Sequence, residues 1–526
     1  MTLTRLLVLR NRLLLTCWPL TLIGLCCTLS TYEQTYPTAG QRRTAVELAQ
    51  LNPGSTLLYG RLPDPGAAAQ MFAWEIGAFV TILAAVMAVL TAVAVTRAAE
   101  DDGSLELLRG CGVTVLRPLY SALTILTGAA VLLTAGCAVA ITVTAGQSDG
   151  VSVSGTVMFA AVVGVTFLTV SAVTVLAAQV APSAGQARLW GFGALGVAFA
   201  VRAVADTQQV GWLNWVSPLG LRAVVEPFTV DRWTALLPGL LTVLVLVVLA
   251  VLVAARREFG AGLLRRRDAR NGRLRVHGMV GLQARLARPS LLVWTVTVAA
   301  IGTLFAAMGS GAVEQQRDGE VGGFLGAQLG TGDPAAGYLA YRGTVIGIVV
   351  SVFAILSVLA ARHAEDTGLT GQVLATGVRR WAPMAAQAAV AAAGCAVVLA
   401  VTGVITAVIT PMFLDGDDIA ARSLAYALGQ WPTAAAMIGC ATLLIGALPR
   451  LAALAWLPLA ASSLLALLGD LLGVPDRIQD LGFFQHVPDI AGVDRPVGPL
   501  LWLAAAGTLL VLAGSAGAAR RDLRAG

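Results

Sequence analysis

The chain has 526 residues, of which 57% are hydrophobic and only 12% charged, with a formal net charge of +6 and a mean hydropathy of +0.79. These values lie outside the range of soluble globular proteins and place the chain among membrane proteins. All 35 basic residues are arginine; the phosphate-cradling G-x-x-x-x-G-K-[ST] loop needs a lysine ammonium, so the chain cannot bind or hydrolyse ATP through such a loop of its own.

Apolar stretches long enough to cross a hydrocarbon core of about 30 Å recur along the whole sequence. They predict twelve spans, over 13–29, 72–95, 119–141, 157–180, 189–204, 235–254, 291–308, 338–359, 382–408, 431–448, 451–472 and 499–518. The fifth is the weakest, being short and carrying Arg202. A single signal peptide does not give such a pattern. The spans must be helices, because backbone exposed to lipid has to satisfy its own hydrogen bonds, and the alternation of a barrel strand is missing. The expected fold class is an all-α polytopic membrane protein.

Arginine placement sets the orientation. The start (Arg5, Arg10, Arg12), the centre (Arg256 to Arg288) and the end (Arg520, Arg521, Arg524) are basic, whereas intervening loops carry Asp415, Asp417 and Asp418, or Asp476, Asp480, Asp489 and Asp494. With an even number of spans, both termini are expected in the cytoplasm and the protein in a bacterial inner membrane; the bias toward Ala, Gly, Val, Leu and Arg suggests a GC-rich bacterial genome. Arg42, Arg43 and Arg61 in the first outer loop are mild exceptions. Six cysteines (Cys17, Cys26, Cys27, Cys137, Cys395, Cys440) fall inside apolar spans and Cys111 in a short loop, so no disulfide framework is implied. His277, His363 and His486 lack metal-ligand spacing. Neither a metal site nor a catalytic residue is expected, and nothing suggests a nucleic-acid partner.

An internal repeat is the most informative feature. After the second span the chain reads Arg97, Ala98, Ala99, Glu100, Asp101, Asp102, Gly103 and continues through Leu107 and Leu108 to Gly112 and Val113. After the eighth it reads Arg362, His363, Ala364, Glu365, Asp366, Thr367, Gly368 and continues through Val373 and Leu374 to Gly377 and Val378, an offset of 265 residues. The closing segments Ala255-Arg256-Arg257-Glu258 and Ala519-Arg520-Arg521-Asp522 agree at an offset of 264. A tandem duplication follows: a first six-helix half over 1–255, a basic cytoplasmic linker over 256–290 and a second six-helix half over 291–526. Because each half has an even number of spans, the repeats are parallel. The linker reads as a positive-inside anchor to anionic headgroups, or as a contact with a partner.

In each copy the acids favour a helix N-terminus and the glycine permits a tight turn before an apolar face. Two equivalent helices of this kind suit a symmetric partner with two equivalent grooves. The pattern R-x-x-E-[ED]-x-G, together with Trp215-Val216-Ser217-Pro218-Leu219-Gly220, Glu226-Pro227-Phe228, Asp231-Arg232-Trp233 and the R-R-[ED] segments, resembles actinobacterial type 2 ATP-binding-cassette exporter permeases of the tetronasin-resistance and mycobacterial multidrug-efflux kind. Leu221 replaces a family aromatic, Glu226 stands where arginine is frequent, and Gly371-Gln372 weakens the acidic motif in the second half. The resemblance implies that this chain binds no cofactor itself, and that a separate homodimeric ATPase uses ATP and Mg²⁺ and is coupled through the short cytoplasmic helices. The implied partner-coupling residues are Arg97, Glu100, Asp101, Gly103, Leu107, Leu108, Arg362, Glu365, Asp366, Gly368, Val373 and Leu374. Glu100 and Glu365 are expected to orient the helix or to meet partner arginines.

The spans lack an intramembrane acid series of the kind a proton-coupled pump needs. The expected function is a permease subunit that exports amphipathic drug-like, antibiotic or lipid cargo across the lipid bilayer; the alternatives are an ion-gradient-driven secondary efflux transporter and a non-transporting membrane protein. Substrate-contacting residues are not identifiable. Proline and glycine after the fifth and eleventh spans, around Ser217, Pro218, Phe484 and Pro488, predict broken helices near the outer leaflet, read as an external gate or a simple loop.

Overall fold

A computed structural model describes residues 3–35, 38–51, 53–101, 103, 105–106, 110, 112–145, 150–257, 276, 278–317, 333–416, 418–468, 474–487 and 498–521. Every regular element among them is helical. Eleven helices are long and apolar enough to cross a membrane, and a twelfth span arises if one bent pair counts as one. That pair is the first predicted span: α1 (Leu3–Arg10) and α2 (Arg12–Cys26) meet at Asn11 with a bend of 66°.

The chain divides into two compact units, Met1–Gly272 and Arg273–Gly526. The first continues with three short helices, α3 (Leu29–Thr35), α4 (Ala39–Leu51) and α5 (Pro53–Tyr59), then α6 (Ala68–Val95), α7 (Arg97–Asp101), α8 (Arg117–Thr144), α9 (Val153–Val180), α10 (Ala184–Thr207), α11 (Leu221–Val225) and α12 (Leu236–Arg256). The second runs α13 (Gly278–Arg317), α14 (Pro334–Asp366), α15 (Leu369–Leu374), α16 (Ala382–Ile409), α17 (Ile419–Leu428), α18 (Trp431–Ala447), α19 (Trp456–Leu468), α20 (Asp476–Gln479) and α21 (Gly498–Arg520). The order is alike, a long second span, the motif, three further spans, a broken segment and a last span, consistent with the tandem repeat; the motif forms the separate α7 in the first unit and the last turn of α14, before α15, in the second. Helix α13 begins at Gly278, inside the segment expected to be linker; 258–275 and 277 of that segment lie outside the described residues.

Association of helices in lipid rests on close van der Waals contact rather than on apolar burial, so small residues mark the seams. In the first unit α6 and α9 form the centre, with Ala84, Ala85, Ala88 and Ala92 on α6 fully buried and the rings of Phe72, Phe159 and Phe228 stacked in series. Helix α12 instead leaves Leu237, Leu241, Leu244 and Leu252 half or more exposed, a face suited to lipid. In the second unit α18 and α21 touch backbone to backbone: a Cβ on Gly439 would lie 2.6 Å from the carbonyl oxygen of Gly507, and one on Gly446 would lie 1.9 Å from that of Gly514. Their spacing of seven keeps both glycines of each helix on one face.

Gly446→Val must push α18 and α21 apart and is expected to destabilise the second unit by about 3 kcal/mol or more. Gly128→Val on α8, where nothing lies within 4 Å of a Cβ, should be near neutral. Thermal unfolding of the detergent-solubilised protein compares the two.

Candidate functional site

Both copies of the R-x-x-E-[ED]-x-G motif build the same charged cluster. In the first, Arg97 is 1% exposed and its guanidinium reaches back along one helix face to Glu100 (Nη1 to Oε2, 3.0 Å) and Asp101 (Nε to Oδ1, 3.2 Å). The spacings of three and four make these side chains neighbours. Arg257, just past the end of α12, reaches the same Glu100 oxygen at 2.7 Å. In the second copy Arg362 meets Asp366 at 2.8 Å and Glu365 at 3.7 Å. Arg521, just past the end of α21, binds both oxygens of Glu365, Nη1 to Oε1 at 2.7 Å and Nη2 to Oε2 at 2.6 Å. Such two-point pairing is directional as well as strong.

Each cluster therefore holds two arginines and two acids and carries no net charge, which permits burial. Glu100 and Glu365 are buried. Each joins the motif after the second or eighth span to the last span of its own unit. Sequence reasoning recorded the R-R-[ED] segments but did not connect them to the motif. The signal was available, since both features recur at nearly the same offset, but pairing over 157 residues leaves no local mark.

The glycines behave alike in both copies. Gly103 and Gly368 both have φ +75°, and their N–H groups donate to the carbonyls of Glu100 (3.2 Å) and Glu365 (3.0 Å). A side chain in this left-handed region costs about 1–2 kcal/mol, which accounts for glycine at both turns. Beside each cluster lies a small cleft, about 50 Å³ in the first unit, lined by Thr96, Glu100, Leu119 and Arg257, and about 40 Å³ in the second, lined by Glu365, Leu374, Met384 and Arg521. Either holds one or a few waters rather than a ligand.

Two differences separate the copies. Arg97 also donates to the carbonyl of Pro182 at 2.9 Å, and the Asp101 carboxylate accepts the Ala184 N–H at 2.6 Å, where negative charge suits the N-terminus of α10. The first short helix is thus fastened to a third element, while Asp366 stands half exposed. In the second copy α15 has no fully buried residue; Val373 and Leu374 are half-buried and Leu369 is 53% exposed. Sequence reasoning did not single out Leu369. Leu107, Leu108 and Asp102 lie outside the described residues.

At the opposite end of the first unit, two short 3-10 turns, Gly211–Trp215 and Pro218–Gly220, follow one another, with Ser217 between them as the N-cap of the second and Pro218 its first residue. Ser217 Oγ donates to the Ala198 carbonyl (2.7 Å) and accepts the Leu219 N–H, and the Pro218 carbonyl accepts from Thr166. Gly220 passes so close to Asn214 that a Cβ would lie 2.4 Å from its carbonyl oxygen. Arg202 pairs with Asp206 (3.4 Å) and donates to the carbonyls of Leu57 and Leu58; Arg222 donates to that of Tyr59. Two guanidiniums thus satisfy the carbonyl end of α5. Burial pushes the Arg222 pKa down to about 10, the Arg202 charge adding to the effect and Asp206 opposing it, so Arg222 remains charged at neutral pH. Arg222, like Arg342, was not foreseen. Arg342, 1% exposed within α14, donates to the hydroxyls of Thr410 (2.8 Å) and Ser423 (2.6 Å). In the second unit Phe484 is buried in the turn Phe483–His486; Pro488 lies outside the described residues.

A multi-pass helical membrane protein in two like units, with charged clusters joining its spans, has the architecture of a transport permease. Residues 276–518 match the family described as multidrug efflux system permease Rv1217c, C-terminal domain. The chain is 33% identical to the multidrug efflux system permease protein Rv1217c of Mycobacterium tuberculosis, over 99% of this chain and 95% of that protein. It belongs to this family of membrane permeases.

Because Glu100 is buried between two arginines, Glu100→Gln leaves an uncompensated guanidinium and is expected to cost about 3 kcal/mol. Asp366→Asn, at a half-exposed pair, should cost under about 1 kcal/mol. Denaturation midpoints of the two variants in one detergent check the ordering.

Proposed function

We propose that this chain is the membrane-spanning permease subunit of an ATP-binding-cassette exporter, and that it moves amphipathic drug-like, antibiotic or lipid cargo out of the cell. A separate homodimeric ATPase binds ATP and Mg²⁺ and docks on the two motif segments, the first with Arg97, Glu100, Asp101, Gly103, Leu107 and Leu108, the second with Arg362, Glu365, Asp366, Gly368, Val373 and Leu374. On this reading those segments face the cytoplasm, both termini lie on that side, and the membrane is the bacterial inner membrane. The observation that carries the proposal is the duplicated cluster: the same motif, tied to the last span of its own unit in both copies, offers a dimeric partner two like footholds. The name of the Mycobacterium tuberculosis relative, a multidrug efflux system permease, supports export. The arginine-only sequence supports an external source of ATP hydrolysis.

Since Glu100 and Glu365 are occupied within the chain, contact with the partner falls to the free faces of the helices. Leu369 is the exposed apolar side chain of α15, and Val373 and Leu374 anchor its inner face. Ser217 and Pro218, with Phe484 and Pro488 in the second half, are the residues proposed for an external gate.

Expression with its neighbouring genes and affinity capture through this chain tests the reading. The wild type should retain an ATPase whose turnover rises in lipid. Leu369→Asp places a charge in an apolar contact and should weaken capture about ten-fold or more. A wild-type chain that captures no ATPase, yet moves cargo on a proton gradient, points instead to secondary transport.

A further inference from the structure

We propose that Arg257 and Arg521 are positioning residues that lock each short helix to the last span of its unit, so that movement imposed on the short helix is delivered to that span. The inference rests on the exporter reading above and adds to it the route by which the membrane domain is moved.

The geometry supports transmission rather than docking. Glu100 and Glu365 are 7% and 8% exposed, so their carboxylates are not offered to an incoming subunit. Glu100 lies on α7, directly after the second span, and Glu365 on the last turn of α14, directly before α15, and each is gripped by the first residue after α12 or α21. In the first unit the ionic link grips α7 itself, and in the second it grips the last turn of α14, shortly before α15 begins, so the root of each short segment is held both by the span before it and by the span that ends the unit. A body joined at one point can pivot without moving what lies beyond; joined at two, it carries both spans with it. The two-point Arg521–Glu365 bond, with both distances below 2.8 Å, is the stiffer kind of link. Two-state movements of packed helices are of this rigid-body type.

The links are unequal in their surroundings. In the first unit the bonds from Arg97 to Pro182 and from Ala184 to Asp101 add a third attachment, at the corner before α10. In the second, the described hydrogen bonds and ion pairs of Arg362 and Asp366 stay inside the motif. The second link is therefore the one whose loss disconnects its last span most completely.

A stable variant without the link separates this role from simple support. Glu365→Gln combined with Arg521→Gln removes one charge of each sign and leaves the neutral Arg362–Asp366 pair, so the cluster stays balanced. Spin labels at Gln372→Cys on α15 and Leu512→Cys on α21, in a chain freed of its native cysteines and bound to its ATPase, report the distance between short helix and last span by pulsed electron resonance. In the otherwise wild-type chain this distance should stay constant between the nucleotide-free and vanadate-trapped states. In the double variant, with ATPase still captured, it should shift or broaden by about 2 Å or more, and ATP turnover should lose its dependence on lipid-embedded permease. Arg521→Lys, which keeps the charge but not the two-point bond, should fall between.

A double variant whose distance stays constant and whose turnover remains coupled overturns the proposal. If the double variant is not monodisperse, Arg521→Lys decides, since full coupling in that variant equally overturns it. A wild-type chain that captures no ATPase overturns the exporter reading and this inference together, an outcome distinct from a wild type and a variant that both couple.

Discussion

A carboxylate held between two arginines at the end of the bundle is the interaction on which each unit depends. Glu100 joins Arg97 to Arg257, and Glu365 joins Arg362 to Arg521. A buried charge is tolerated only with its counter-charge, so the ends of the second and last spans cannot separate without exposing or orphaning one. The glycine after the acids has φ +75° in both copies, and in the second it turns the chain into α15, whose root is already fixed. Position and direction of that helix follow from the charges, not from its own few residues, which are too short to be stable alone.

The other end of the first unit is governed by the same principle applied to backbone. Carbonyls at the end of α5 have no partner within the helix, and Arg202 and Arg222 supply one each. Arg202 is what made the fifth span look weak, yet its charge is balanced by Asp206 one turn away. The residue spoiling the apolar pattern is the one that fastens the end of α5. In the second unit the buried Arg342 serves hydroxyls of Thr410 and Ser423 instead. The two units share their clusters and differ at their opposite ends, so the halves are alike but not identical.

Much of this was legible in advance. Composition and the recurrence of apolar stretches identify a multi-pass helical protein, because spanning lipid requires length and self-satisfied backbone and little else. The duplicated motif was readable because matched spacing survives where lipid-facing residues are interchangeable. Less legible were the break of the first span at Asn11, the start of α13 within the basic segment, and the backbone contact of Gly439 and Gly446 with Gly507 and Gly514. Each depends on what a neighbouring helix does.

The sequence by itself determined the class of the protein, its family, and the places where charge recurs, since these depend on residue type and order along the chain. Only the tertiary structure decided that the arginine closing each half belongs to the glutamate of the motif, and that Leu369 rather than Glu365 is presented. Ion pairing acts over a few ångströms in space, and residues 257 and 100, or 521 and 365, become neighbours only when the spans between them have packed.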